Sequence, residues 1–133
     1  MAERFQVSMV IPDPGADNKK LFVYKAPSNA NGGGSRLLAA EFVNGAATGA
    51  GTSFSLALHK YSAAGTPAVN GTIAPAIGGT AATIWAAAVP QAFVLDTDYT
   101  FIDAGEYVVL DYQEDNAAAP TNGVLTMHFQ MGK

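Results

Sequence analysis

Apolar and polar side chains alternate one by one in segment after segment of this chain, and no comparable 3.6-residue rhythm runs along it. The cleanest case is TSFSLALHKY, residues 52–61. Phe54, Leu56 and Leu58 fall on one side, and Ser53, Ser55, Ala57 and His59 on the other. A period of two is the side-chain repeat of a half-buried β-strand. RFQVSMVI repeats it, with Phe5, Val7, Met9 and Ile11 set against Arg4, Gln6 and Ser8. KKLFVYK predicts a second strand and SRLLAAEFV a third, with Leu38, Ala40 and Phe42 on one side and Leu37, Ala39 and Val43 on the other. An apolar piece around Ile73, then TIWAAAV, AFVL, YTFI, YVVLDY and VLTMHFQM, complete a set of eight or nine. AATIWAAAV, residues 81–89, is the one helical rival, because alanine is a strong helix former.

The punctuation between these runs agrees. Pro12-Asp13-Pro14-Gly15 stops the first strand by removing ladder donors and permitting a turn. Asn-Gly, which supplies the positive φ angles of tight hairpins, stands at 31–32, 44–45, 70–71 and 122–123. Asp103-Ala104-Gly105 predicts a further turn, before YVVLDY. Short strands separated by frequent turn signals predict an all-β, antiparallel β-sandwich of jelly-roll type. Residues 1–20 read as an N-terminal strand or arm and residues 21–133 as the sandwich domain.

With 133 residues, one core in one domain is expected. Hydrophobic residues make up 49% and charged ones 14%. So low a charge density must be offset by Thr, Ser, Asn and Gln, or by a covering partner. With no cysteine, disulfides, zinc ribbons and thiol nucleophiles are excluded. MAERFQVSMVIPDPG lacks a basic head followed by a long apolar run, so no secretory signal is expected, and no apolar window is long enough for a membrane helix. The net charge of −4 argues against nucleic acid as the main partner. Residues 1–60 carry six basic and four acidic groups, +2, and residues 61–133 one basic and seven acidic, −6. Residues 61–95 carry no charged side chain, which fits either low-complexity turns or a surface covered by a neighbour.

The candidate chemistry is sparse. Asp96, Asp98, Asp103, Glu106, Asp111, Glu114 and Asp115 are the available carboxylates. Most stand where strands leave the core, which makes them solvated ends rather than a glycosidase pair or a calcium cage. Asp111 interrupts VVLDY inside a strand, on one face with Tyr107 and Val109; turned inward it must be hydrogen-bonded or paired, and turned outward it needs no special role. His59 and His128 are mid-strand, outward and without a close second ligand, so a metal or base role is not expected. Asp13 to Asn18 fails as an EF-hand because position 24 is Tyr, and Gly32-Gly33-Gly34-Ser35-Arg36 lacks the lysine of a phosphate loop. Trp85 reads as a packing anchor. Arg4, Lys19, Lys20, Lys25, Arg36 and Lys60 are spread along the chain, so no direct tracking of a phosphate backbone is expected. No cofactor is implied, and an enzyme is not expected.

Taken in order, LLAAEFVNG, GTSFSLALHKYSAAGTP, the Gly/Ala/Thr stretch, FIDAGEYVVLDYQED and NGVLTMHFQMGK resemble the small β-sandwich proteins that decorate, or cement, the capsids of tailed bacteriophages. The likeness spans roughly residues 20–133. It implies a non-enzymatic virion protein on the outer capsid surface, assembled in the host cytoplasm. Its partners would be the major capsid protein and copies of itself, as dimer or trimer, with no direct nucleic acid and no membrane. Phe5, Val7 and Met9 are then the candidate capsid or subunit contacts, on a strand that adds to a neighbour's sheet or completes its own. The alternative is a carbohydrate-binding sandwich of a phage fibre or bacterial surface protein, with an exposed aromatic platform at Trp85, Tyr99 or Tyr112.

Overall fold

A computed structural model describes residues 3–12, 19–27, 33–45, 54–79, 85–114 and 123–132, with the backbone alone at 68–70 and 79. Among these residues there is no helix, and nine strands form two antiparallel sheets, a β-sandwich. The strands are β1 (Arg4–Ile11), β2 (Lys19–Lys25), β3 (Ser35–Val43), β4 (Phe54–Tyr61), β5 (Pro67–Gly79), β6 (Pro90–Ala92), β7 (Phe101–Ile102), β8 (Tyr107–Glu114) and β9 (Gly123–Met131). One sheet runs β1-β9-β3-β6, with β7 also on β3; the other runs β2-β8-β4-β5. The pairing is nested. The first strand lies on the last, the second on the eighth, and β4 on β5 in the middle.

Alternation sends one side of every long strand between the sheets. Phe42, Leu56, Leu58, Ile73, Leu110, Leu125, Met127 and Phe129 are all fully buried there. At one end Trp85 is wedged edge-on against Phe54, ring centres 4.7 Å apart, and tilted against Phe42 at 6.2 Å. That is the packing role its sequence context predicts. A Cβ on Gly123 would overlap the Phe42 ring, so β9 can start there only with glycine. On one flank Tyr24 stacks on Phe129 at 4.1 Å, and Phe5 stacks on the same ring at 5.3 Å. The Tyr24 hydroxyl reaches Ser35 Oγ at 2.6 Å. Burial raises the Tyr24 pKa above its usual 10.0, and the Ser35 contact partly opposes the rise.

Five local expectations need correction. A bulge between Leu37 and Ala39 shifts the phase of β3. Leu37 therefore joins Ala40 and Phe42 inside, while Leu38 is exposed, because one extra residue reverses the alternation beyond it. Residues 85–89 form no strand; they turn, with Ala88 at φ 59°. The strand expected over AFVL is instead the short β6, which already ends at Ala92, and Phe93 only donates its N–H to the Ala40 carbonyl. Asn70-Gly71 lies inside β5 rather than in a turn. Glu114, read as solvated, is 5% exposed, because β8 continues past Tyr112 and turns it inward opposite Phe54. Asp115, the Asp13 to Asn18 loop and Asn31-Gly32 lie outside the described residues.

Glycine closes two turns. Gly65, at φ 80°, stands in the β4–β5 hairpin, where the Ser62 N–H donates to the Thr66 carbonyl at 2.8 Å. Gly105, at φ 84°, turns β7 into β8, as expected for Asp103-Ala104-Gly105. Glu106 Oε1 accepts the Asp103 N–H at 2.8 Å, and Lys60 Nζ lies 3.8 Å from the same oxygen while donating to Phe101 O at 3.2 Å. The Glu106 carboxylate holds a turn.

Candidate binding face

The inward set Leu56, Leu58, Leu110 and Tyr112 dictates what the other side of this sheet shows. Register then sorts the outward residues into rows that cross the strands. Lys20 stands opposite Asp111, and Asp111 opposite Ala57. The next row runs Phe22, Val109, His59 and Thr72. The third runs Lys25, Tyr107, Tyr61 and Pro67.

The last two rows merge into an aromatic ledge. Phe22 meets Tyr61 edge-on at 5.4 Å and Tyr107 edge-on at 5.1 Å. That is the orientation ring quadrupoles favour. Lys25 Nζ lies 5.4 Å from the centre of the Tyr107 ring. The ammonium is thus within cation–π reach. Tyr61 is buried and Val109 is fully covered, although both are on the outward side. Phe22 is 50% exposed. A rigidly held ring with half its surface in water is the feature that a partner could bury.

Beside the ledge is a depression of about 250 Å³ lined by Lys20, His59, Tyr61, Thr72 and Asp111 among others. His59 Nε2 is 3.6 Å from Asp111 Oδ2, and Thr72 Oγ1 is 3.4 Å from His59 Nδ1. Hydroxyl, imidazole and carboxylate thus stand in the order of a nucleophilic triad. The hydroxyl–ring contact is a long hydrogen bond. The chemistry this supports is recognition of a polar group, with both donors and acceptors on offer. Asp111 Oδ1 is buried with no hydrogen-bond partner among the described residues. Lys20, opposite it in register, is the cation whose stem can bring a donor to it.

His59 points outward, as expected, and Asp111, whose face alternation leaves open, does too; the fold brings them together from strands far apart in sequence. His128 also points outward, but on the other sheet. Asp96 accepts the Asp98 N–H at 3.0 Å in an exposed turn. Among the described residues no three His, Cys, Asp or Glu side chains gather to hold a metal. Trp85 and Tyr112 are buried and Tyr99 packs on the core, so the exposed ring is not at the platform expected from sequence. The aromatic ledge was missed, although KKLFVYK carries the signal: Lys20, Phe22 and Lys25 end on one face once the bulge after Phe22 is counted.

Phe5, Val7 and Met9 lie on β1, opposite Phe129, Met127 and Leu125 of β9. They face inward and pack on the core, yet remain partly exposed, because β1 is the edge strand of its sheet.

Searches of protein-family models, curated proteins and solved structures found no match to this chain.

Proposed function

We propose that this chain is a non-enzymatic structural protein that binds the outer surface of a viral capsid, of the tailed-phage kind, and reinforces its lattice. The observation that carries the reading is the half-exposed Phe22, clamped by Tyr61 and Tyr107 and flanked by Lys20 and Lys25. An exposed aromatic ring held among other rings, with a polar and solvated surround, has the anatomy of a binding interface. The nested strand order supports a jelly roll, the fold expected from the resemblance to capsid decoration proteins. Each attachment would bury about 800 Å² per partner, and repetition over the lattice multiplies a modest contact. The partners are the major capsid protein and copies of this chain, on the outer face of the virion, without direct contact to nucleic acid or membrane.

The test is co-sedimentation of the purified protein with undecorated phage shells, together with the shells' melting temperature. Wild type should bind and raise it. Phe22→Asp should abolish binding while its circular dichroism stays unchanged. Failure of wild type to bind any shell offered, or full binding by Phe22→Asp, would overturn the proposal.

The depression beside Phe22 favours one second reading, a carbohydrate site. Lys20, His59, Thr72 and Asp111 offer the donors and acceptors that a sugar's hydroxyls need, and Phe22 a face for its ring. Glycan-array binding lost in Asp111→Ala, with no shell binding, would select it.

A further inference from the structure

We infer that two copies of this chain pair edge to edge through β1, antiparallel, about a two-fold axis at Val7. The first observation is a difference among the four sheet edges. Exposed edges are usually blunted by lysines, bulges, prolines or shortness. β2 carries Lys19, Lys20 and Lys25 and a bulge after Phe22. β5 breaks register three times, contains Pro67 and Pro75, and gives its Ile73 carbonyl to the Asp96 N–H. β6 is three residues long and starts with Pro90. β1 has eight residues, an unbroken register with β9, no proline and Arg4 as its one charge.

The second observation is the direction of its backbone groups. Met131 N donates to Glu3 O at 2.8 Å, one step beyond the Arg4↔Gln130 pair. In an antiparallel ladder, residues that exchange bonds alternate with residues that do not. The odd positions, Phe5, Val7, Met9 and Ile11, therefore bond to β9. The even positions, Arg4, Gln6, Ser8 and Val10, turn their N–H and C=O groups to the side of β1 on which no other described strand lies. Each is a donor and an acceptor that needs a partner or water.

The third observation is incomplete cover. Leu125, Met127 and Phe129 on β9 are fully buried, whereas Met9, Val7 and Phe5 opposite them are only partly so. A strand added outside β1 would cover that row.

The occupant that fits is a second copy of the same strand. A two-fold axis at Val7 sets Arg4 against Val10 of the second copy, and Gln6 against its Ser8. All four outward-turned residues then exchange bonds, since even positions meet even positions. Gln6 offers its amide to a hydroxyl, as it already does to Ser8 of its own strand at 3.1 Å. The two Arg4 side chains lie about 20 Å apart at strand spacing, so like charges do not meet. Inside, Val7 meets its own copy and Phe5 meets Met9 of the other, which continues the apolar row. A one-residue slip would set even positions against odd ones and forfeit the bonds. Pairing of this kind is isologous and closes at two copies. It stands on the edge alone and does not require the capsid reading.

The test uses the full chain in sedimentation velocity and light scattering. Wild type should show twice the 13.7 kDa chain mass. Ser8→Pro removes an N–H that β9 does not use, so its circular dichroism and melting should match wild type. Its dimer dissociation constant should rise about tenfold or more. Val7→Cys, in a chain with no cysteine, should form a disulfide-linked dimer on mild oxidation, because unbonded opposite residues bring their Cβ atoms closest. Gln6→Cys should not, because across this axis Gln6 faces Ser8 of the second copy and not itself. A wild type that stays monomeric at about millimolar concentration overturns the inference. So does a trimer, or a dimer that Ser8→Pro leaves intact and Val7→Cys does not cross-link. Phe22 lies on the other sheet, so loss of shell binding and loss of pairing are separately readable.

Discussion

β1 and β2 are the two edges of one flank, with Phe5 of the first and Tyr24 of the second 6.0 Å apart, ring to ring. Both lean on Phe129. Beyond that shared floor they are built oppositely. β2 is bulged, carries three lysines, and fastens its inward tyrosine to Ser35. β1 is regular, nearly uncharged, and holds its inward side chains by packing alone. An edge that must stay single is made irregular and charged. An edge left straight, with its hydrogen-bond groups in step, is a template for another strand. The contrast also separates tasks: two of the lysines that guard β2, Lys20 and Lys25, flank the Phe22 ledge on the sheet's outer face.

Three changes would break or sharpen this contrast. The largest effect is expected from Phe129→Ala, which removes the floor beneath both edges. Emptying that fully buried site should cost about 3–5 kcal/mol in denaturant unfolding. Hydrogen exchange should quicken along β1 and β2 together; quickening confined to one strand would show that the floor is not shared. A smaller effect is expected from Ser35→Ala, which strips the partner from the Tyr24 hydroxyl. About 1 kcal/mol is expected, felt in β2 amides and not in β1 amides. Equal loosening of both strands would contradict the idea that β2 is fastened separately. The smallest is a pH effect. The Tyr24 pKa is raised by folding, so the folded state holds that proton longer than the unfolded one. The contribution is fully present below pH 10.0 and is lost as pH rises through the higher folded value. Tyr24→Phe should show a shallower loss of stability in that alkaline window than wild type. Identical alkaline slopes would mean that burial does not perturb the phenol.

Most of the strands were readable because alternation is a local code. The bounds of β1, β2, β3 and β9 coincide with RFQVSMVI, KKLFVYK, SRLLAAEFV and, within a residue, VLTMHFQM. The misses share one cause. A bulge leaves no mark in a run such as SRLLAAEFV, since either phase of Leu37 and Leu38 looks apolar; only the ladder with β9 selects Leu37. Glu114 looked like a solvated end because its sequence neighbours are Gln and Asp. What turns it inward is pairing with Phe54, on a strand far back in the chain. Asn70-Gly71 has the chemistry of a turn, yet it lies within the strand that pairs with β4, whose hydrogen bonds outweigh local preference. The binding face was half legible: alternation sets His59 outward and puts Asp111 on one face with Tyr107 and Val109, but neither the side that face takes nor the meeting with His59 at 3.6 Å follows from it.

By itself the sequence determined that this chain would be strands, which sides of them were apolar, and where several turns must fall. Those are properties of a residue and its immediate neighbours. Only the tertiary structure decided that the first strand would lie on the last, leaving one edge straight and unpaired among the described strands, and that Phe22 would be lifted into water between Tyr61 and Tyr107. Strand order and cross-strand neighbours arise from pairing between distant residues, and no local rhythm encodes which distant partner is chosen.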